Sequence, residues 1–242
     1  LTVNPAGTFT YAPGAGETGT VTFDYTIKDG DGDTSVATVT ISLLADSVPL
    51  VGTAENLATD DDATIGLASS TDTGSVTVDY GTDATGATFA LTDVTSGDLV
   101  TLAGNPVAFT IEALTGDLVG KDGATEVIRI AVTATTPGVG GSVSYSYTVT
   151  QSEPVKHANA LTEDEDVITV GFSATDGDGA DAASGSFTVT VDDAVPEAKD
   201  DAFTQTAENA VVTGNLLNDN GSFADEFGAD GQGSPIVVGN TV

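Results

Sequence analysis

Apolar residues fall on every second position through most of the chain. The clearest series are Val21, Phe23, Tyr25 and Ile27; Val39, Ile41 and Leu43; Val76, Val78 and Tyr80; Ile128, Ile130 and Val132; Val143, Tyr145, Tyr147 and Val149; and Phe187, Val189 and Val191. A period of two places alternate side chains on opposite faces of an extended strand, so each series predicts a half-buried β-strand. The positions between are mostly Thr and Ser, as along Ser142 to Thr150, which suits the wet face of an antiparallel sheet. Gly, Asp and Asn clusters separate the runs at short intervals, and no apolar stripe has the period of a helix. The pattern predicts an all-β chain of antiparallel β-sandwiches.

One block occurs twice. Asp29-Gly30-Asp31-Gly32 is followed by the strand pattern Val39, Ile41, Leu43 and then by Val48-Pro49; Asp176-Gly177-Asp178-Gly179 is followed by Phe187, Val189, Val191 and then by Val195-Pro196. Both ends of the block are offset by 147 residues and the strands by 148, so a one-residue shift lies inside each copy. Beyond each Val-Pro comes a second landmark, Thr53-Ala54-Glu55-Asn56 and Thr206-Ala207-Glu208-Asn209, with six extra residues before the second. Proline fixes its own φ and restricts the residue before it, so the Val-Pro pairs read as short stiff linkers between domains. The expected division is residues 1–48 as the back part of one domain, 49–195 as a whole domain and 196–242 as the front part of another. The two end pieces together have the length of one immunoglobulin-like sandwich, and neither is expected to fold well alone. The chain opens at Leu1 inside what reads as a strand, which suggests one period of a tandem array in which Thr241-Val242 of one copy precedes a stretch like Leu1-Thr2-Val3 of the next.

Charge then narrows the partners. Thirty-seven acidic residues against five basic ones give a formal net charge of −32. Such a chain repels nucleic acid and anionic membrane surfaces and attracts cations. It has no cysteine, so neither disulfides nor thiolate sites can stiffen it, and oxygen-ligated metal is the remaining device. No apolar stretch approaches the roughly 18 residues that would span a bilayer, so direct membrane insertion is not expected.

Calcium takes about six to eight oxygen ligands, and aspartates alternating with glycine on a loop can turn several carboxylates onto one ion. Asp29, Asp31 and Asp33 have that pattern. The stretch is not an EF-hand, because Thr34 and Thr40 stand where that loop needs glycine and a bidentate glutamate. Further ligands are expected from the acidic junctions: Asp46 and Glu55 beside the first, and Asp192, Asp193, Asp200, Asp201 and Glu208 beside the second. A loop preceding the final strand is expected to fold back to the domain end and share one ion with the linker. Asp-Gly on its own forms turns for backbone reasons, and a halophile's acidic surface is a second plain reading. Against both stands the recurrence of the motif at a fixed distance from an acidic junction, while Leu99 to Gln151 carries only four acidic residues.

Catalytic constellations are poor. His157 is the one histidine and reads as a structural loop residue, while the run Glu163, Asp164, Glu165, Asp166 reads as a solvated loop rather than an opposed catalytic pair. No enzymatic activity is expected.

The stretch "VGFSATDGDGADAASGSFTVTVDDAVP", residues 170–196, resembles the unit ends of repeat domains in giant type I-secreted RTX adhesins of Gram-negative bacteria. The opening 41 residues resemble the second half of a cadherin-like or VCBS-type repeat, and "AKDDAFTQTAENAVVTGNLLNDN" resembles the first half of one. The resemblance implies tandem immunoglobulin-like or cadherin-like β-sandwiches acting as an extender of a secreted, extracellular adhesin or filament on the bacterial cell surface, supporting cell adhesion or biofilm formation. It further implies calcium ligands at Asp29, Asp31, Asp33, Asp176 and Asp178, and at the junction residues Asp46, Asp192 and Asp193. Ala180 departs from the pattern where a third aspartate is usual, and Asp181, one position later, is expected to replace it as a ligand. The partners implied are neighbouring repeats or head-to-tail copies. Two alternatives remain open, a domain that binds a glycan or surface protein and a filament subunit joined by completion of its half-domains.

Overall fold

The computed structural model describes every residue except 5, 15, 62–69, 139, 159–163, 195, 218–224, 226 and 229–242. Val195, Glu163 and the pair Thr241-Val242 therefore lie outside the described residues. Those described form fourteen strands and no α-helix; a 3-10 turn, Gly81–Asp83, lies between β7 and β8. The all-β expectation holds, and the fold is an immunoglobulin-like β-sandwich preceded by a two-stranded ribbon.

The ribbon comes first. Strands β1 (Thr2–Val3) and β2 (Phe9–Thr10) make a small hairpin, and β3 (Gly19–Lys28) pairs with β4 (Thr34–Leu43) over ten antiparallel positions without a bulge. Alternation puts Val21, Phe23, Tyr25, Ile27, Val39 and Ile41 on one face, where Phe9 meets Phe23 edge to face at 5.2 Å. That face is poorly covered: Ile27 is 62% exposed and Tyr25 46%.

The sandwich spans Leu50 to Asp192. Its strands are β5 (Leu50–Val51), β6 (Leu57–Asp60), β7 (Ser70–Asp79), β8 (Thr88–Ser96), β9 (Ala108–Ile111), β10 (Leu118–Asp122), β11 (Thr125–Pro137), β12 (Ser142–Gln151), β13 (Glu165–Thr175) and β14 (Ala182–Asp192). One sheet has the order β5-β7-β12-β11-β10-β9 and the other β6-β14-β13-β8. The opening of the domain switches sheets, since β5 pairs antiparallel with β7 while β6 pairs parallel with the last strand β14. Strand β12 buries Val143, Tyr145, Tyr147 and Val149 and exposes its serines and threonines partway, as the alternation predicts. Tyr147 stacks on Phe187 of the facing sheet at 4.1 Å, and Phe89 stacks on Tyr145 at 4.4 Å. These aromatic contacts, with Val170, Ile168, Val189 and Ile130, make one core between the sheets.

Between the core residues Ile128 and Ile130, the chain's single arginine ties neighbouring segments of the sheet together. Arg129 on β11 grips Glu126 through two bonds of 2.8 and 2.7 Å and reaches Glu112 at 3.0 Å and Asp117 at 2.6 Å. The guanidinium holds Glu112 and Glu126 below the usual carboxylate range. A lysine cannot reproduce the planar fork. Arg129→Lys is therefore expected to lower stability by about 1–2 kcal/mol, discounted for partial exposure. A urea midpoint unchanged from the parent would rule out a structural role for this network.

Beyond Asp192 no strand is present among the described residues, although Asp200, Asp201 and Glu208 lie there. Val211 is 87% exposed and Leu216 49%.

Candidate metal centre

The two DGDG loops are built alike. In the first, the Asp29 carboxylate accepts the N–H groups of Gly32 (2.9 Å) and Asp33 (2.8 Å), and the Asp29 N–H donates to the Asp33 carbonyl (3.0 Å). In the second, the Asp176 carboxylate accepts the N–H groups of Gly179 (2.8 Å) and Asp181 (2.9 Å), and the Asp176 N–H donates to the Asp181 carbonyl (3.1 Å). The strands close the comparison: Lys28 pairs with Thr34 across five loop residues, and Thr175 pairs with Ala182 across six. The one-residue shift in the repeat thus lies in the loop, where Ala180 is inserted and Asp181 takes the place of Asp33.

Each loop gathers carboxylates. Asp29, Asp31 and Asp33 each bring an oxygen within 4.8 Å of the others, and all three are exposed. Asp29 is held below the ordinary carboxylate range, first by its hydrogen-bonded neighbour Asp31 and then by loop N–H groups. The second group is Asp46, Asp176 and Asp181, also within 4.8 Å of one another, and Asp176 there is only 2% exposed. Asp178 stands beside it and accepts the Gly16 N–H at 3.1 Å, so the loop of the sandwich reaches back to the ribbon. Asp83 completes the wall: its carboxylate accepts the Ser47 N–H at 3.1 Å and its carbonyl accepts the Gly177 N–H at 2.7 Å. Gly177 is required for this approach, since a Cβ there would lie 2.0 Å from the Thr85 carbonyl oxygen.

The electrostatics match a cation site. Burial, then the neighbouring charges of Asp178, Asp181 and Asp83, push the Asp46 carboxyl above its ordinary value. A divalent ion among these groups would reverse that repulsion. The donors are all oxygen, which fits a hard cation such as calcium and disfavours a soft transition metal.

The arrangement corrects the expected geometry of the junction. The loop before the final strand does not fold back to the domain end; β14 carries the chain eleven residues, roughly 36 Å, from Asp181 to Asp192. The loop sits instead at the start of its own domain and meets the linker that precedes it. Asp46 accordingly joins Asp176 and Asp181, and β4, ten residues and roughly 33 Å long, separates it from Asp29, Asp31 and Asp33. Glu55 belongs to neither group. Its carboxylate accepts the Ser75 N–H and hydroxyl at 2.7 and 2.9 Å and its carbonyl accepts the Tyr147 hydroxyl at 2.6 Å, so it straps the edge of the sandwich.

Asp192 and Asp193 lie at the opposite end of the sandwich. Asp193 is the counterpart of Asp46 in the repeat; it is 8% exposed, and its N–H donates to the Asp164 carbonyl at 3.0 Å. Asp200, Asp201 and Glu208 join no carboxylate group that could hold a cation among the described residues.

At the same end is a cluster that sequence reasoning missed. The His157 side chain is 1% exposed, with Nε2 3.5 Å from Asp61 and Nδ1 3.8 and 3.9 Å from Asp164 and Asp166. Asp61, equally buried, accepts the Val155 N–H at 2.9 Å and the Gln151 side-chain amide. His157, which the sequence reading takes as a structural loop residue, is buried, and Asp164 and Asp166 of the acidic run read as a solvated loop face it. Asp61 meets the Val155 N–H across 94 residues, and the Asp83 carbonyl meets the Gly177 N–H from a distant loop, so sequence spacing marks neither.

Residues 1–42, which span the β1–β2 hairpin, β3 and all but the last residue of β4, match the family described as the bacterial Ig domain. No curated protein matches the chain. The family match supports an Ig-like repeat without singling out the RTX or VCBS type. It suggests a surface-protein repeat or extender role on a fold that is typically non-enzymatic, and bacterial Ig domains are often on the surface of secreted proteins. Among the described residues no helix is long and apolar enough to cross a membrane.

Proposed function

We propose that the chain is a structural extender of a secreted bacterial adhesin or surface filament, with Ig-like repeats set end to end and calcium fixing the joint between them. The observation that carries this reading is the meeting of Asp46, on the linker, with Asp176 and Asp181, on a loop of the domain that follows. An ion held by those three, with Asp178 and Asp83 adjacent, draws linker and domain into one body. Without it the same carboxylates repel, and the linker is free to swing. Asp29, Asp31 and Asp33 form the equivalent loop of the preceding repeat, and Asp193 is the linker residue equivalent to Asp46.

Extracellular calcium modules bind at about 10⁻⁴ to 10⁻³ M, so such sites fill outside the cell and stay empty in the cytosol. The chain then hardens only after export, and its acidic surface keeps the rod soluble beside a cell, where it can serve adhesion or biofilm formation.

Small-angle scattering tests the mechanism. The radius of gyration of the chain in millimolar calcium is expected to fall when EDTA is added, and to recover on calcium repletion but not with magnesium. Superimposable curves with and without EDTA would remove the calcium joint from the reading.

A further inference from the structure

We propose that His157 Nδ1, Asp164 and Asp166 form a second metal site, at the end of the sandwich away from the calcium joint, and that it takes zinc or a divalent metal of the same kind. The site shares no side chain with that joint, so either can fail without the other.

Strand alternation brings the two carboxylates to one place. Along β13 the even positions Ile168, Val170, Phe172 and Ala174 are buried in the core, and Asp166 and Asp164 continue that face past its apolar end. Their side chains keep 28% and 27% of their exposure, so water can complete the coordination of an ion. The Asp166 carboxyl stands above its ordinary value, first through burial, with His157 pulling it down and the charge of Asp164 pushing it up. A cation beside both carboxylates relieves that repulsion.

His157 is what sets this cluster apart from an acidic strand end. Its side chain is 1% exposed, and neither ring nitrogen has a hydrogen-bond partner among the described residues. A buried polar group left unbonded costs free energy, so the ring needs a partner of another kind. Nδ1 stands 3.8 Å from Asp164 Oδ1 and 3.9 Å from Asp166 Oδ2, too far for hydrogen bonds but near the spacing of two ligands on one ion. Zinc lies about 2.0–2.2 Å from nitrogen and oxygen ligands, which places tetrahedral neighbours roughly 3.4 Å apart. Each carboxylate therefore has to close on Nδ1 by only about 0.4 Å.

The ring is also held from behind. Nε2 faces Asp61 at 3.5 Å, and Asp61 is fixed by the Val155 N–H at 2.9 Å and by the Gln151 amide. The Lys156 N–H donates to the Val100 carbonyl at 2.6 Å and pins the backbone beside His157. A carboxylate behind one ring nitrogen keeps the proton there and turns the other lone pair to the metal, the usual setting of a metal-binding histidine. Nitrogen in the donor set separates this site from the all-oxygen groups at Asp29 and Asp46, because imidazole suits zinc and calcium takes oxygen. An ion here would tie the segment after β12 to the start of β13. The Asp164 carbonyl accepts the Asp193 N–H, so the exit from β14 is drawn into the same knot.

His157 is the chain's one histidine, so its ring nitrogens can be followed alone by nitrogen NMR in the full chain. The probe is zinc chloride in about 10 mM calcium, above the range in which extracellular calcium modules fill, which keeps the all-oxygen groups occupied. One equivalent of zinc is expected to shift Nδ1 and leave the proton on Nε2, and titration calorimetry to give one zinc per chain. Asp166→Asn, at a partly exposed position, is expected to weaken zinc binding by at least about tenfold, and Asp61→Asn by about 10–100-fold although it touches no metal. Both variants are expected to keep the parent's response to calcium. Ring signals that do not move with zinc, a shift at Nε2 in place of Nδ1, zinc that calcium displaces, or an affinity unchanged by Asp166→Asn would each overturn the proposal.

Discussion

Calcium is expected to raise the melting temperature of the chain by roughly 5–11 °C. The estimate follows from mass action: calcium at about a hundred times its dissociation constant stabilises the folded state by about 2.7 kcal/mol per site. In a domain of this size each kcal/mol moves the midpoint by about 2–4 °C. The decisive variant is Asp46→Asn, because its two effects have opposite signs. The folded-state pKa of Asp46 is raised by burial and by Asp178, Asp181 and Asp83. A carboxyl raised in the folded state contributes stability at low pH and loses it as pH rises through the folded value, so at neutral pH the ionised Asp46 works against the apo fold. Replacing it with asparagine is expected to raise the melting temperature in EDTA and to shrink the calcium increment. Scanning calorimetry of parent and variant, each in EDTA and in 100-fold calcium excess, reads both. If calcium moves neither midpoint, or if Asp46→Asn leaves the increment intact, Asp46 is not a ligand.

That test depends on a junction whose ingredients were legible in the chain but whose wiring was not. Strict alternation along Val143 to Val149 forecast β12, because a one-residue slip would turn every apolar side chain to solvent. The same held for β3, β4 and β14. The DGDG loops were recognisable as potential ligand loops because glycine and aspartate have few other reasons to recur at a fixed distance from a proline junction. What sequence could not supply was the end of the sandwich on which the loop lies. A strand of eleven residues reverses that answer, and the direction of β14 is fixed by its antiparallel pairing with β13 and its parallel pairing with β6. Asp33 and Asp181 became equivalent only when the pairs Lys28 with Thr34 and Thr175 with Ala182 showed where the extra residue lies. Glu55 illustrates the converse. Its place beside the linker suggested a ligand, but Ser75 and Tyr147, distant in sequence, claim it for the sheet edge.

The second large effect concerns the opposite end of the sandwich. Stability is expected to fall as pH rises from about 4 to 7, by about 3 kcal/mol through Asp61 alone. Burial pushes its carboxyl from an ordinary 3.8 up to about 6, against the pull of the Val155 N–H, the Gln151 amide and the neighbouring His157 imidazole. Since the folded value lies above the unfolded one, the contribution is complete below about pH 4 and is lost as pH passes through 6. Asp166, also raised by burial, acts in the same direction, so the parent curve sums several groups. The difference between parent and Asp61→Asn isolates one. Asparagine can still accept the Val155 N–H and carries no charge at any pH, so the variant is expected to be the less pH-sensitive of the two, gaining on the parent above pH 6. Urea midpoints at pH 4, 5, 6 and 7 in calcium-free buffer would measure the gap. Parallel curves would show that Asp61 does not titrate in this window, and a variant that loses ground as pH rises would mean that the ionised Asp61–His157 contact stabilises the fold.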